Sequence, residues 1–141
     1  MIAVDTNILI YGHVVEFPLH QTAKERLRSL AEGNAPWAIP VFCLGEFLRV
    51  ITHPKLFNRP FSEAEAWQAV SVLIGSPVCK VLMPGDRYIE LLGDAMKESG
   101  AKGNLVFDAQ IAALCRESGV QALLTEDRDF SRFADFPVLR L

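Results

Sequence analysis

Cysteine is scarce: Cys43, Cys79 and Cys115 are the only three in 141 residues. An odd number of widely spaced thiols among apolar neighbours builds neither a disulfide frame nor a zinc site. They read as buried free thiols, and with them a reducing compartment, the cytoplasm, is the expected location. Long apolar runs are missing as well. No stretch of about eighteen apolar residues exists, which excludes a helical membrane span. Met1-Ile2-Ala3-Val4-Asp5 lacks the basic and long apolar stretches of a secretory leader. There is no cationic surplus: 14 Lys and Arg face 17 Asp and Glu, a net charge of −3. Such a chain carries no broad basic coat, so any contact with a polyanion must be local or use bound cations. Internal repeats, low-complexity segments and linkers are also absent.

What is present is apolar. Half the residues are hydrophobic and 22% are charged, which argues for a packed core over disorder. The length predicts one domain, residues 1–141. Short apolar runs predict strands at Met1–Val4, Trp37–Ile39, Val78–Leu82, Ala122–Thr125 and Val138–Leu141. Helical spacing covers Ile8–Tyr11, Gln21–Glu32, Val41–Thr52, a segment from Ser62 to Ile74, one capped by Asp86 and ending near Ser99, and Leu105–Glu117. Glu126–Phe136 is polar and turn-like. Strands alternating with helices predict an α/β domain, a parallel sheet covered on both faces.

Ligands in such folds bind beyond the carboxyl ends of the strands. Asp5 directly follows the first strand, and Asp127 and Asp129 follow Thr125 closely. Two further acids lie within apolar helices. Glu46 has Phe42, Cys43 and Val50 as helical neighbours, and Asp108 has Leu105, Ile111 and Ala112. A lone buried carboxylate costs several kcal/mol, roughly, unless it is paired. Neither helix supplies a Lys or Arg four residues away. Each acid also has a plain structural reading. Asp5 and Asp108 can cap helices, Asp127 and Asp129 can form an Asx turn, and Glu46 can reach the helix edge. One site accounts for all of them: Asp5, Glu46, Asp108 and Asp127 sharing Mg²⁺ or Mn²⁺, which favour hard oxygen ligands. Such an ion activates water for attack on a phosphodiester.

Asp5-Thr6-Asn7, Leu44-Gly45-Glu46-Phe47, Asp108-Ala109-Gln110-Ile111-Ala112 and Leu124-Thr125-Glu126-Asp127-Arg128-Asp129-Phe130 occur in that order. The ordered set, spanning nearly the whole chain, resembles the PIN-domain ribonucleases, most closely their VapC-type toxin branch. The resemblance implies an α/β/α sandwich and a Mg²⁺- or Mn²⁺-dependent endoribonuclease. It also implies a toxin that blocks translation and is neutralised by a small antitoxin protein. It assigns catalytic and metal-binding roles to Asp5, Glu46, Asp108 and Asp127. Asn7 and Thr125 take supporting positions around Asp5, and Asp129 either carries a water or is structural. Transfer or ribosomal RNA is the candidate substrate. A processing nuclease that is not a toxin, or an inactive binding module, would share the fold.

Cations must admit RNA to an acidic site; Lys55, Arg59, Lys102 and Arg128 are the candidates, with Arg132 beside them. His13, His20 and His53 show no paired spacing and read as surface or loop residues. Val14, Val15, Phe17 and Leu19 form an apolar cluster. Phe42, Phe47, Phe57, Phe61 and Trp67 form a second group, mostly core, whose surplus would serve an antitoxin helix or a homodimer. Two other phosphate chemistries fit poorly. A dehalogenase-type phosphatase needs an acid where Asn7 stands, and the aspartate and lysine pattern of a receiver domain is missing.

Overall fold

A computed structural model describes all residues, 1–141. The chain runs β1 (Ile2–Val4), α1 (Thr6–His13), α2 (His20–Glu32), β2 (Trp37–Pro40), α3 (Val41–Ile51) and α4 (Glu63–Ile74). It continues through β3 (Cys79–Leu82), α5 (Tyr88–Ser99), α6 (Leu105–Glu117), β4 (Ala122–Leu124), a 3₁₀ segment (Arg128–Arg132) and β5 (Val138–Leu139). The five strands form one sheet in the order β3-β2-β1-β4-β5, and every pairing is parallel. This is the expected α/β architecture, with six helices about the sheet.

The topology fixes where a site can form. From β1 the chain moves to β2 and then β3, away from β4. It then returns across the sheet to β4 and continues outward to β5. Right-handed crossovers place α1 to α4 on one face and α5 with α6 on the other. The order reverses at β1 and β4, so the crevice opens at their carboxyl ends. Val4 leads there into Asp5, and Leu124 leads into Thr125.

All four residues of β2 are buried, as expected of a strand covered on both faces. Phe47 and Phe130 are fully buried, with Ile8 and Leu9. Each such side chain gains about 1.5–3 kcal/mol on leaving water. Gly12 lets α1 and α2 approach closely: a Cβ there would stand 2.5 Å from Leu27 Cδ1. The Ser62 hydroxyl accepts from the Glu65 amide, and the Glu65 side chain accepts from the Ser62 amide, a reciprocal start to α4. Gly100, at φ +61°, ends α5 in the left-handed conformation.

Several expectations are corrected. The first helix begins at Thr6, not Ile8, because the Asp5 carboxylate caps its first turn. Asp86 does not cap α5. The Glu117 carboxylate accepts instead from the Gly85 and Arg87 amides, both at 2.8 Å. The last strand stops at Leu139, and the Arg140 side chain hydrogen-bonds carbonyls of the loop after β4. The histidines are half-buried. His13 Nδ1 lies 2.7 Å from the Leu9 carbonyl oxygen, and its ring packs 5.1 Å from that of Phe47. Burial lowers the pKa of His13. His20 Nδ1 is 2.8 Å from the Tyr11 carbonyl oxygen. Of the two, the Tyr11 carbonyl lies in the last turn of α1, where the helix itself supplies no donor.

Candidate active site

Asp5, at the carboxyl end of β1, is only 4% exposed. Three strong donors meet its carboxylate. The Thr6 amide donates to Oδ1 at 2.7 Å, Asn7 Nδ2 to Oδ2 at 2.8 Å, and the Thr125 hydroxyl to Oδ2 at 2.6 Å. The Cys43 thiol lies 3.8 Å from Oδ1. Asp5 therefore caps α1 and is at the same time near enough to Glu46 and Asp127 to feel their charges. Asn7 and Thr125 both hydrogen-bond the Asp5 carboxylate. Asn7 Nδ2 also donates to Thr125 Oγ1 at 3.0 Å, and Asn7 Oδ1 accepts from the Glu126 amide at 3.1 Å.

The loop after β4 brings the next acids. The Asp127 amide donates to Thr125 Oγ1 at 3.0 Å, and Asp127 Oδ1 accepts from the Asp129 amide at 2.8 Å. That is the Asx turn, and it turns both carboxylates toward one place. Phe130, Phe133 and Phe136 cluster beneath the loop with ring centroids 5.8–6.2 Å apart. Arg140 Nη1 donates to the carbonyls of Thr125 at 2.7 Å and Asp127 at 3.1 Å. Glu126 Oε1 accepts from the Leu141 amide at 2.8 Å.

Asp108 enters from the first turn of α6. One oxygen each from Asp108, Asp127 and Asp129 can be chosen so that all lie within 4.8 Å of one another. Asp129 is thus closer to the centre than sequence reasoning put it. Glu46 faces the same cleft from α3. Its Oε2 accepts from the Thr6 hydroxyl at 2.8 Å, and Arg49 Nη2 is 3.9 Å from Oε1. The isolation of Glu46 is corrected here: a cation stands three residues on, a spacing that also shares a helix face. Glu46, Arg49, Asn104, Asp108, Asp127 and Asp129 line a cleft of about 230 Å³.

Electrostatics marks the cluster as strained. Burial, reinforced by Glu46 and Asp127, pushes Asp5 up to about 6 against the hydrogen bonds from Thr125 and Thr6. Partial burial and then the charges of Asp127, Asp5, Asp129 and Glu46 push Asp108 up to about 7. Crowded carboxylates cannot all ionise without a counter-charge. Hard oxygen donors short of positive charge suit Mg²⁺ or Mn²⁺. The donor set therefore fits a divalent cation. The thiols do not contribute: all three are free, and burial pushes Cys43 well up and Cys115 up to about 12.

The candidate cations separate. Arg128 lies between Asp127 and Asp129, and Lys102 precedes the cleft residue Asn104 by two positions; both are exposed. Arg132 is 3.4 Å from Asp129. Lys55 and Arg59 do not line the cleft. Arg59 shares a hollow with His13, at the far end of α1 from Asp5. Sequence reasoning missed Thr6, Arg49, Asn104 and Arg140. Helical spacing from Glu46 would have found Arg49. No local signal marks Arg140, whose role depends on β5 lying beside β4.

The fold and the carboxylate crevice define the class. The chain matches the PIN domain over residues 2–136 and belongs to that family. Its relatives narrow this further. It is 35% identical over 133 residues to VapC ribonuclease Mb2897 of Mycobacterium bovis, covering 94% of this chain and 90% of that one. It is 31% identical over 140 residues to Ribonuclease VapC25 of Mycobacterium tuberculosis, covering 99% and 98%. Within the PIN domains, the chain belongs to the VapC family. The fold is shared with Mycobacterium tuberculosis VapC20, described as a sarcin-ricin loop cleaving toxin (TM-score 0.71, 22% identity, 96% of each chain). It is shared too with VapBC2 from Rickettsia felis, solved bound to a DNA fragment from its promoter (TM-score 0.71, 18% identity, 100% and 99%).

Proposed function

We propose that this chain, a single PIN nuclease domain over residues 1–141, is a divalent-metal-dependent endoribonuclease that hydrolyses RNA phosphodiester bonds. It is the toxin of a toxin–antitoxin pair and inhibits translation by cutting transfer or ribosomal RNA. The observation that carries the reading is the gathering of Asp108, Asp127 and Asp129 with Glu46 in one cleft, coupled in charge to Asp5, with two carboxyls displaced upward by burial and one another. VapC kinship supports both the ribonuclease and the antitoxin partner.

Asp108, Asp127 and Asp129 would hold Mg²⁺ or Mn²⁺, with Asp5 and Glu46 contributing directly or through water. When bound, the ion supplies Lewis acidity toward phosphate and lowers the pKa of water. The chain's own residues organise the rest. Thr125, Asn7 and the Thr6 amide hold the Asp5 carboxylate in one orientation. Thr6 links Glu46 to the same corner. Arg49, Lys102 and Arg128 offset the acidic field for an incoming phosphate chain. Lys55 and Arg59 reach RNA only if it extends along α1.

An antitoxin helix has a groove between α3 and α4, where Leu48, Phe61 and Ala66 meet Trp67, itself 59% exposed. A homodimer is part of this reading. No helix is long and apolar enough to cross a membrane, and action in the cytoplasm follows from an RNA target.

The test is cleavage of a mixed RNA pool, transfer RNA included, by wild type and Asp5→Asn with Mg²⁺, Mn²⁺ or EDTA. Metal-dependent cutting that Asp5→Asn loses is expected. Equal cutting in EDTA, or by Asp5→Asn, would overturn the assignment.

A further inference from the structure

A second cavity adjoins the acidic cleft and is different in kind. It is a groove of about 420 Å³ between α3 and α6, within the size range of small-ligand sites, roughly 300–1,000 Å³. Glu46, Arg49 and Phe107 border both hollows, so the groove is continuous with the carboxylates. Its walls are apolar, from Val41, Phe42 and Ile111, with Gln110 as a neutral polar group.

Three features call for an occupant. Phe107 directly precedes Asp108, yet the residue is 58% exposed, uncommon for a large aromatic side chain. Gly45 leaves the opposite wall bare: nothing lies within 4 Å of a Cβ built there. Arg49 is held only loosely, 3.9 Å from Glu46 with its side chain 66% exposed, and its guanidinium is free to take a phosphate. An aromatic face, a slot of open space, an amide and a cation beside a phosphodiester-cutting centre match an unpaired nucleotide. Unpaired bases stack on aromatic rings and present edges for hydrogen bonding.

Building on the nuclease reading, we propose that the α3–α6 groove is a nucleobase subsite. It takes the base adjoining the scissile phosphate of a single-stranded RNA. Phe107 is the stacking face, Gln110 contacts the base edge, and Arg49 takes the neighbouring phosphate. Gly45 is the vacancy that admits the ring. Phe107 and Gln110 are then specificity-determining residues: they position the strand and select the base at one place beside the cut. The shared border with the carboxylates favours RNA over a protein segment as occupant.

The test is single-turnover cleavage of a randomised single-stranded RNA pool with Mn²⁺. It compares wild type, Phe107→Ala, Phe107→Trp and Gly45→Leu, with cut sites read by sequencing. Both Phe107 and Gly45 are exposed, and melting curves confirm that the variants fold. Phe107→Ala should raise the half-saturating enzyme concentration by roughly 5- to 150-fold, the range for losing one stacked base. The maximal rate should hold, and base preference at one flanking position should flatten. Gly45→Leu, which fills the slot, should do the same, and Phe107→Trp should keep wild-type behaviour. Unchanged half-saturation and flanking-base profiles in Phe107→Ala and Gly45→Leu would overturn the subsite. A change confined to self-association, read by light scattering, would assign the groove to a protein contact and equally overturn it. If wild type cuts no RNA, the nuclease reading fails and the subsite falls with it. If wild type cuts and the variants match it, only the subsite falls.

Discussion

Replacing Asp108 by Asn should stabilise the metal-free protein, and only above acidic pH. An ordinary aspartate titrates near 3.8, whereas Asp108 in the fold is pushed up to about 7. Below pH 3.8 the folded and unfolded chains both hold the proton, and the position is neutral in each. As pH rises, the unfolded chain ionises first. The folded state resists, and stability falls until Asp108 itself ionises near 7. Each pKa unit corresponds to about 1.36 kcal/mol, so the interval sets a ceiling of about 4 kcal/mol. Asp108 is only half-buried, and solvent screening reduces this to about 1–2 kcal/mol. Asn fills nearly the same volume and carries no charge. Urea unfolding in EDTA at pH 4 to 8 should show wild type and variant close at pH 4 and separated by that amount at pH 8. The melting temperature would differ by about 3–8 °C. Adding Mn²⁺ narrows the gap, because wild type gains about 1.4 kcal/mol at ten times its Kd and the variant gains less. A variant no more stable than wild type at pH 8, or a gap independent of pH, would refute the electrostatic account of the cluster.

Other outcomes follow from the same geometry. Thr125→Val removes the hydroxyl that donates to Asp5 and accepts from Asn7 and Asp127, so it should cost roughly 1–3 kcal/mol in urea unfolding. It should also raise the Asp5 pKa above about 6 in a carboxyl NMR titration, and Thr125→Ser should restore most of both. Arg128→Ala and Lys102→Ala should each lower the salt slope of RNA binding by about 0.7, the value for one phosphate contact on a single strand. Lys55→Ala on a short oligonucleotide should leave the slope unchanged, and a change there would bring its loop into the footprint. Light scattering on the purified chain should give a two-fold dimer, and a monomer at high concentration would remove the homodimer.

Much of this arrangement is legible in one dimension. Asp5 and Asp127 are found because each closely follows an apolar strand, and a parallel sheet gathers its strand ends. Glu46 and Asp108 stand out as charges in apolar helices. The Asp127–Asp129 turn is visible as turn chemistry, although its consequence is not: the turn carries Asp129 into the oxygen cluster. Arg49 stands three residues from Glu46, so a spacing of four does not reveal it. The cationic loop of Lys55 and Arg59 shows the opposite error, since local charge carried no information about its distance from the acids.

The sequence by itself determined the element types, the apolar core and the set of acids. Those depend on side-chain period, turn propensity and the cost of burying charge, all local properties. Only the tertiary structure decided which acids meet. It made Arg140 a brace for Thr125 and Asp127, because that contact requires β5 to pair in register beside β4. It also opened the groove beside Phe107, because a cavity is the space between two helices and belongs to neither. The strengths of charge interactions followed the same rule: the raised pKa values of Asp5 and Asp108 arise from burial and from acids on other elements of the fold. Burial and distance exist only once the chain has folded.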